Sequence, residues 1–163
     1  MTTTTATSRR ALVMCEAAGE LVALDVARVE RVLRYEPPRR VPNATAWLPG
    51  VITVGSRTVP VLDLRERLGL PAPPPREQAR VVVVVLEEGP VGFIVDAVQE
   101  VTSVEPAAIE DAPAIYRGLA REFVQGIVRR GERLHVLLDA ARLVSSTERI
   151  AMREAVQGAA DGR

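Results

Sequence analysis

The feature that most constrains the fold is a hairpin sequence that the chain contains twice. The segment VGSRTVPVLD, residues 54–63, has the pattern of a turn followed by an apolar strand that ends on a carboxylate, and RGERLHVLLD, residues 130–139, has the same pattern. Aligned at a constant separation of 76 positions, residues 50–63 and 126–139 share five identities in fourteen. The repetition predicts a tandem duplication of a small β-rich unit.

Two further segments support the duplication. ALVMCEAAGELVALDV and RVVVVVLEEGPVGFIVD each predict two strands around a turn, and each is followed by valines spaced three apart. That spacing predicts one or two helical turns that lay an apolar face on a core. We expect the middle valine of each series to be partly exposed and the others to lie in the core. The series are Val26, Val29 and Val32 in the first repeat, and Val95, Val98 and Val101 in the second.

The duplication predicts a mostly β fold with about five short strands in each repeat. Units of this size bury too little surface to be stable alone, so we expect the two to pack closely as one domain over residues 11–156. The expected divisions are a disordered tail at 1–10, a first barrel subdomain at 11–70, a proline-rich connector at 71–79, a second barrel subdomain at 80–145, and a C-terminal helix and frayed tail at 146–163.

Glycines and aspartates at matching positions of the repeats predict turns and caps. Gly55 aligns with Gly131, and a tight hairpin turn favours a residue that tolerates positive φ. Asp63 and Asp139 follow equivalent strands and fit helix N-caps, where a carboxylate accepts backbone N–H groups. The predicted structural turn and cap residues are therefore Gly50, Asp63, Gly126, Gly131 and Asp139.

The sequence lacks the parts of a reaction centre. One histidine, His135, and one cysteine, Cys15, cannot form a Cys/His zinc site, and no phosphate-binding, dinucleotide-binding or nucleophile-elbow motif occurs. We therefore predict no catalytic residue, no metal and no cofactor, with His135 structural and Cys15 a small buried side chain.

The charge balance and the apolar runs exclude other classes of partner. Twenty-one basic and 21 acidic residues cancel, which argues against nucleic-acid binding. The apolar run at 81–86 is too short to span a membrane, and a lone cysteine suits a reducing compartment, so we expect a cytoplasmic protein.

Three segments resemble a known family, the CheW-like chemotaxis coupling proteins. GVITVGSRTVPVLDLRERLGL, residues 50–70, is similar to their signature, in which Gly-Val-Ile-Asn-Leu-Arg-Gly precedes Val-Pro-Val-Val-Asp-Leu-Arg. Residues 81–101 and 123–144 match as well, so the resemblance covers about residues 11–145. It implies two intertwined five-stranded SH3-like barrels related by internal duplication, with short helices and a C-terminal helix.

The resemblance also implies a non-catalytic function. Members of the family connect the cytoplasmic hairpin tip of a methyl-accepting chemoreceptor to the regulatory domain of a CheA-type histidine kinase, without entering the membrane. The receptor tip lies in a groove between the barrels, and kinase contacts lie at barrel ends. Carried over by position, the receptor-binding groove involves Val29, Arg31 and Val98, and the kinase-binding face involves Gly55, Ser56 and Arg57.

Two departures from the family pattern leave alternatives open. A glycine, Gly55, replaces the usual arginine, with Arg57 two positions further on, and Arg31 replaces a common glutamate. These changes either alter which receptor and kinase are recognised, since charge reversals act on specificity and encounter rate, or remove kinase binding and leave a receptor-binding specificity factor or brake. A regulatory domain cut from a larger kinase and an enzyme on a small-barrel scaffold are further alternatives.

Overall fold

The computed structural model describes residues 9–41, 48–111, 121–144, 152–154 and 156–158. In the first repeat the strands are β1 (Arg10–Ala17), β2 (Glu20–Asp25), β3 (Val29–Arg34), β4 (Gly50–Val54) and β5 (Arg57–Asp63), and the helix is α1 (Leu64–Arg67). In the second repeat they are β6 (Arg80–Leu86), β7 (Gly89–Val95), β8 (Ala97–Val104), β9 (Ile109–Glu110), β10 (Val124–Arg130) and β11 (Arg133–Leu138). Residues 152–154 and 156–158 are helical. None of the described helices has the length and apolar character needed to cross a bilayer.

The strands form two sheets that have the same internal order. The six-stranded sheet runs β8-β1-β2-β11-β10-β9, and the five-stranded sheet runs β3-β6-β7-β5-β4. The equivalent strands of the two repeats are β1 and β6, β2 and β7, β3 and β8, β4 and β10, and β5 and β11. In the first five positions of the two sheets, equivalent strands occupy the same place. Both sheets contain one parallel pair, β2 with β11 and β7 with β5, at the point where strands of different repeats meet.

The two repeats exchange their first hairpins. The hairpin β1–β2 of the first repeat lies in the six-stranded sheet with the later strands of the second repeat, and β6–β7 of the second repeat lies in the five-stranded sheet. The sequence boundaries 11–70 and 80–145 therefore divide repeats of the chain and not sheets of the fold. Neither sheet is complete without strands from both repeats.

The sixth strand of the larger sheet, β9, lies against β10, and the first repeat makes a similar but shorter backbone contact against β4. β9 pairs with β10 over two residues, whereas at the equivalent place in the five-stranded sheet a single bridge joins Arg39 to Val51, with N–H···O distances of 2.8 and 2.9 Å. A Cβ atom on Gly50 would lie 2.2 Å from the Arg39 carbonyl oxygen, and one on Gly126 would lie 2.9 Å from the Glu110 carbonyl oxygen. Glycine is needed at both positions because another backbone segment passes over them.

Of the helical turns predicted for the two valine series, one forms, in the first series, and the prediction is wrong for the second. The chain forms one 3-10 turn at Val26–Arg28 and then continues as β3, and the second series lies in β7 and β8. Each of these strands contains a β-bulge between its two valines, so the valines three apart stay on the same face: Val29 and Val32 lie opposite Val84 and Val82, and Val98 and Val101 lie opposite Cys15 and Val13. Val29 and Val98 pack against the core, whereas Val32 and Val101, predicted to lie inside, are 39% and 63% exposed on the edge strands β3 and β8.

Apolar residues on both faces of each sheet give the molecule one shared core and two smaller ones. The central core lies between the sheets, and each smaller core lies inside the curl of one sheet. The uninterrupted apolar run at 81–86 follows from this arrangement, because Val81 and Val83 face the inner core of the five-stranded sheet while Val82 and Val84 face the central core.

Aspartates cap the ends of β5 and β11. Asp63 accepts the Arg65 backbone N–H at 3.0 Å and begins α1, and Gly69 follows the helix with φ +74°. Asp139 likewise accepts the Ala141 N–H at 3.0 Å, but the chain then forms only a turn over residues 140–143. The same capping chemistry therefore begins a helix in one repeat and a turn in the other.

Candidate functional site

The edge strand β3 carries two residues of the predicted receptor groove. Val29 pairs with Val84 of β6 and is half-buried against the central core, and Arg31 pairs with Val83 and is exposed. Glu30 lies between them without a partner in the ladder, so it is the extra residue of a β-bulge. Bulges redirect side chains at sheet edges. Because of this bulge, the side chain of Glu30 does not follow the regular alternation of side chains along β3.

The edge strand β8 repeats this arrangement in the six-stranded sheet. Val98 pairs with Cys15 and packs half-buried against the same central core, Glu100 pairs with Met14, and Gln99 is the unpaired residue of the bulge. The third predicted groove residue therefore occupies the position equivalent to Val29. The two edge strands present matching valines to the boundary of one core.

The predicted kinase-binding face is the turn between β4 and β5. Gly55 and Ser56 are the two exposed turn residues, and Gly55 has φ +63°, a conformation that glycine adopts without strain. Arg57 begins β5 opposite Val54, and its side chain is 45% exposed. Gly131 occupies the equivalent turn with φ +62°.

An ion pair brings the predicted kinase face and the predicted groove strand together. Arg57 donates from Nη2 to Oε2 of Glu30, the bulge residue that separates Val29 from Arg31. β3 and the hairpin β4–β5 stand at opposite sides of the five-stranded sheet, so the pair closes the curl of that sheet. Sequence reasoning did not find Glu30, whose only signal was its place beside Val29.

The six-stranded sheet is closed in a related way by a different arginine. Arg130 of β10 donates to Glu100 Oε1 and to Thr102 Oγ1, both at 2.8 Å, on the edge strand β8. In the alignment of the repeats Arg130 matches Val54, and Arg57 matches Arg133. Each sheet is therefore closed by an ion pair between an arginine of the hairpin and a glutamate of the edge strand. The two ion pairs use positions that are not equivalent in the alignment of the repeats.

A buried arginine fixes how the two sheets meet. Arg65 is 1% exposed; it donates to both carboxylate oxygens of Asp63 at 2.9 and 3.0 Å, to Asp96 Oδ1 at 3.0 Å and to the Pro73 carbonyl at 2.8 Å. The hydrogen bond to Asp63 is the largest cause that raises the pKa of Arg65. The other oxygen of Asp96 accepts the Ala18 N–H at 2.6 Å. This network joins α1, the connector at 71–79, the end of β7 and the β1–β2 turn.

The polar residues that the sequence singled out do not assemble into a reaction centre. Asp63 and Asp139 are both engaged as caps, and burial raises the pKa of the Cys15 thiol to about 12, which keeps it protonated and unreactive. Across the described ranges, no cluster of three or more histidine, cysteine, aspartate or glutamate side chains has the arrangement of a metal site. The candidate functional features are therefore the surfaces of the edge strands β3 and β8 and of the β4–β5 and β10–β11 turns.

Comparison with known proteins gives concordant matches. The CheW-like domain family model matches residues 11–148. The chain is 31% identical over 122 residues to the chemotaxis protein CheW of Bacillus subtilis, covering 75% of this chain and 78% of that protein, and 30% identical over 130 residues to CheW of Klebsiella aerogenes, covering 80% and 78%.

A solved structure supports the architecture. The crystal structure of the scaffolding protein TtCheW from Thermoanaerobacter tengcongensis superposes with a TM-score of 0.80 at 24% identity, over 91% of this chain and 96% of that one. Together with the sheet topology, this confirms the predicted fold class, a mostly β fold of two intertwined SH3-like barrels.

Proposed function

The chain belongs to the CheW-like domain family, and from this premise we propose that it is a non-catalytic chemosensory adaptor that couples a chemoreceptor tip to the regulatory domain of a CheA-type histidine kinase. The observation that carries the proposal is the match of the CheW-like domain family model over residues 11–148. Relatives named chemotaxis protein CheW support the same assignment. The adaptor acts in the cytoplasm, within chemoreceptor arrays.

The receptor tip binds at Val29, Arg31 and Val98. Val29 and Val98 occupy equivalent places on the two edge strands, and both are half-buried at the margin of the central core. Half-buried apolar side chains at such a junction suit the apolar face of a helical hairpin. The exposed guanidinium of Arg31 adds a positive charge, so an acidic position on the receptor tip complements it.

The kinase domain binds at Gly55, Ser56 and Arg57. Although glycine replaces the arginine usual in the family, Arg57 supplies a guanidinium on the same hairpin, and its pairing with Glu30 fixes the orientation of that side chain. This favours a coupler with altered partner specificity over a receptor-binding brake that has lost the kinase.

The groove is tested by titrating a soluble fragment of the cognate receptor hairpin into variants of the full chain. Val29→Glu and Arg31→Glu each weaken binding at least tenfold, while Leu134→Glu, at an exposed apolar position on β11 that is not one of the groove residues, leaves it within twofold. Arg31→Glu is informative by itself because an exposed substitution leaves the fold intact. Unchanged affinity in both groove variants, with circular dichroism showing folded protein, contradicts the assignment.

A further inference from the structure

The hairpin ends of the two barrels differ in chemistry at equivalent positions. In the five-stranded sheet Val54 and Val59 are buried in the inner core, and the alignment of the repeats places Arg130 and His135 at those positions in the six-stranded sheet. His135 is 4% exposed, and within the described ranges neither ring nitrogen has a hydrogen-bond partner. A buried polar group without a partner is unfavourable unless something else satisfies it.

His135 lines a cleft of about 600 Å³ at this end of the six-stranded barrel. Among the described residues, three arginines and one glutamate line the cleft. Two of the arginines are held by carboxylates: Arg130 by Glu100 at 2.8 Å and Arg129 by Glu110 at 3.4 Å. The described residues that line it are Gln99, Glu100, Arg129, Arg130, Gly131, Arg133 and His135.

Within the described part of the chain, the third arginine, Arg133, has no such partner. Arg133 lies directly opposite Arg130 in the β10–β11 ladder, and like charges at opposed positions destabilise a hairpin. Among the described residues, no carboxylate forms an ion pair with Arg133, whereas the equivalent Arg57 stands opposite an apolar residue, Val54, and is paired with Glu30. The cleft therefore combines two opposed guanidinium groups, one of them unpaired, with a buried imidazole that lacks a partner.

We propose that this cleft binds a small oxyanion of the phosphate or sulfate type. Guanidinium groups match such anions through paired N–H donors, and an anion between Arg130 and Arg133 relieves their repulsion. An N–H of His135 donates to a further oxygen of the anion, which gives the buried imidazole its missing partner. The five-stranded barrel has valines at the corresponding core positions.

Protonation of His135 is coupled to the anion. Burial lowers the pKa of His135, the charge of Arg130 lowers it further, Glu100 raises it, and Arg133 lowers it again. The other charged groups around the cleft are Arg129 with its partner Glu110, and Glu132 in the turn. A bound anion favours imidazolium, so binding raises this pKa, and by linkage a lower pH tightens binding.

The test uses the ring signals of His135, which are unambiguous because the chain has one histidine. Proton NMR of the full chain follows a titration with sodium sulfate, whose charge stays constant between pH 5.5 and 7.5, against sodium chloride at equal ionic strength. We expect a saturable shift with sulfate alone and an upward shift of the His135 pKa in its presence. Inorganic phosphate at pH 7.5 competes for the same site.

Matched variants decide whether the cleft is responsible. Arg133→Gln weakens sulfate binding at least fivefold, and Arg57→Gln, the equivalent change in the other barrel, leaves it within a factor of 1.5. In calorimetry, His135→Val, which copies Val59 of the other barrel, removes the pH dependence of binding. Three results overturn the proposal: a shift that does not saturate, an equal shift with chloride, or equal weakening by Arg57→Gln and Arg133→Gln.

Discussion

Arg57 and Glu30 form an ion pair that joins the β4–β5 turn to the bulge of β3, at opposite sides of the same sheet. Gly55 lies two residues before Arg57, and Arg31 directly follows Glu30. The ion pair therefore connects the predicted kinase-binding face to a strand of the predicted receptor groove.

The Arg57–Glu30 pair contributes more to partner binding than to stability. With side chains 45% and 27% exposed, the coupling between Glu30→Gln and Arg57→Gln in urea unfolding amounts to about 0.2–1 kcal/mol. Calorimetry with the kinase regulatory domain shows at least fivefold weaker binding for Arg57→Gln, since the kinase face loses its guanidinium. A coupling energy well above this range, with unchanged kinase affinity, shows that the pair is structural and not part of the binding face.

Removal of the buried arginine is strongly destabilising. Arg65→Met leaves the buried Asp63 carboxylate and Asp96 without their shared cation, and breaking a buried pair in this way destabilises by about 3–5 kcal/mol. Urea unfolding measures the change. The control is Arg142→Met, whose side chain is 65% exposed and reaches Asp139 only at 3.5 Å, with an expected effect below about 0.5 kcal/mol. Similar effects in both variants contradict the central place given to Arg65.

Gly50 and Gly55 respond differently to the same substitution. Gly50→Ala places a Cβ 2.2 Å from the Arg39 carbonyl oxygen and opens the Arg39–Val51 bridge, whereas Gly55→Ala meets no atom within 4 Å and strains only its positive φ. We expect a loss of about 1–2 kcal/mol for Gly55→Ala and a larger one for Gly50→Ala, with Gly55→Asn milder than Gly55→Ala. Thermal unfolding ranks the three, and the reverse order for Gly50 and Gly55 contradicts this explanation.

Stability falls on mild acidification because of His135. Its pKa in the folded protein lies below the ordinary 6.5, so the unfolded chain takes up the proton first as pH falls. The contribution is fully present above pH 6.5 and decreases as pH falls from there toward the lower folded pKa. Urea midpoints between pH 7.5 and 5.5 therefore drop for the parent chain, less so in sulfate, and less for His135→Val. If the urea midpoints of the parent chain and of His135→Val fall equally with pH, groups other than His135 cause the loss of stability.

Local features of the fold were predictable from the sequence because their causes are local. A turn glycine such as Gly55 and a cap such as Asp63 are determined by residues within a few positions. The duplication made the β architecture predictable for the same reason, since each hairpin carries its own turn and alternation. The family resemblance, based on residues 50–70, 81–101 and 123–144, is confirmed by a family match over 11–148.

Features that depend on distant pairing were not predictable. A spacing of three fits either a helical face or one face of a strand that contains a β-bulge, and only the pairing of β3 with β6 and of β8 with β1 decides that Val32 and Val101 are exposed. The exchange of hairpins between repeats likewise depends on which edges meet. Glu30 has no distinguishing sequence context, because its partner Arg57 is 27 positions away across the closure of the sheet.

The central claim is that one molecule of this protein connects a receptor to a kinase. The most direct measurement is calorimetry in which the regulatory domain of the CheA-type kinase from the same operon is titrated into the preformed complex of this protein with its receptor tip. We predict one-to-one binding, because the kinase contacts the β4–β5 turn while the receptor occupies the groove at Val29. The absence of binding heat, with the receptor complex intact, contradicts the bridging function and identifies a receptor-binding adaptor that does not reach the kinase.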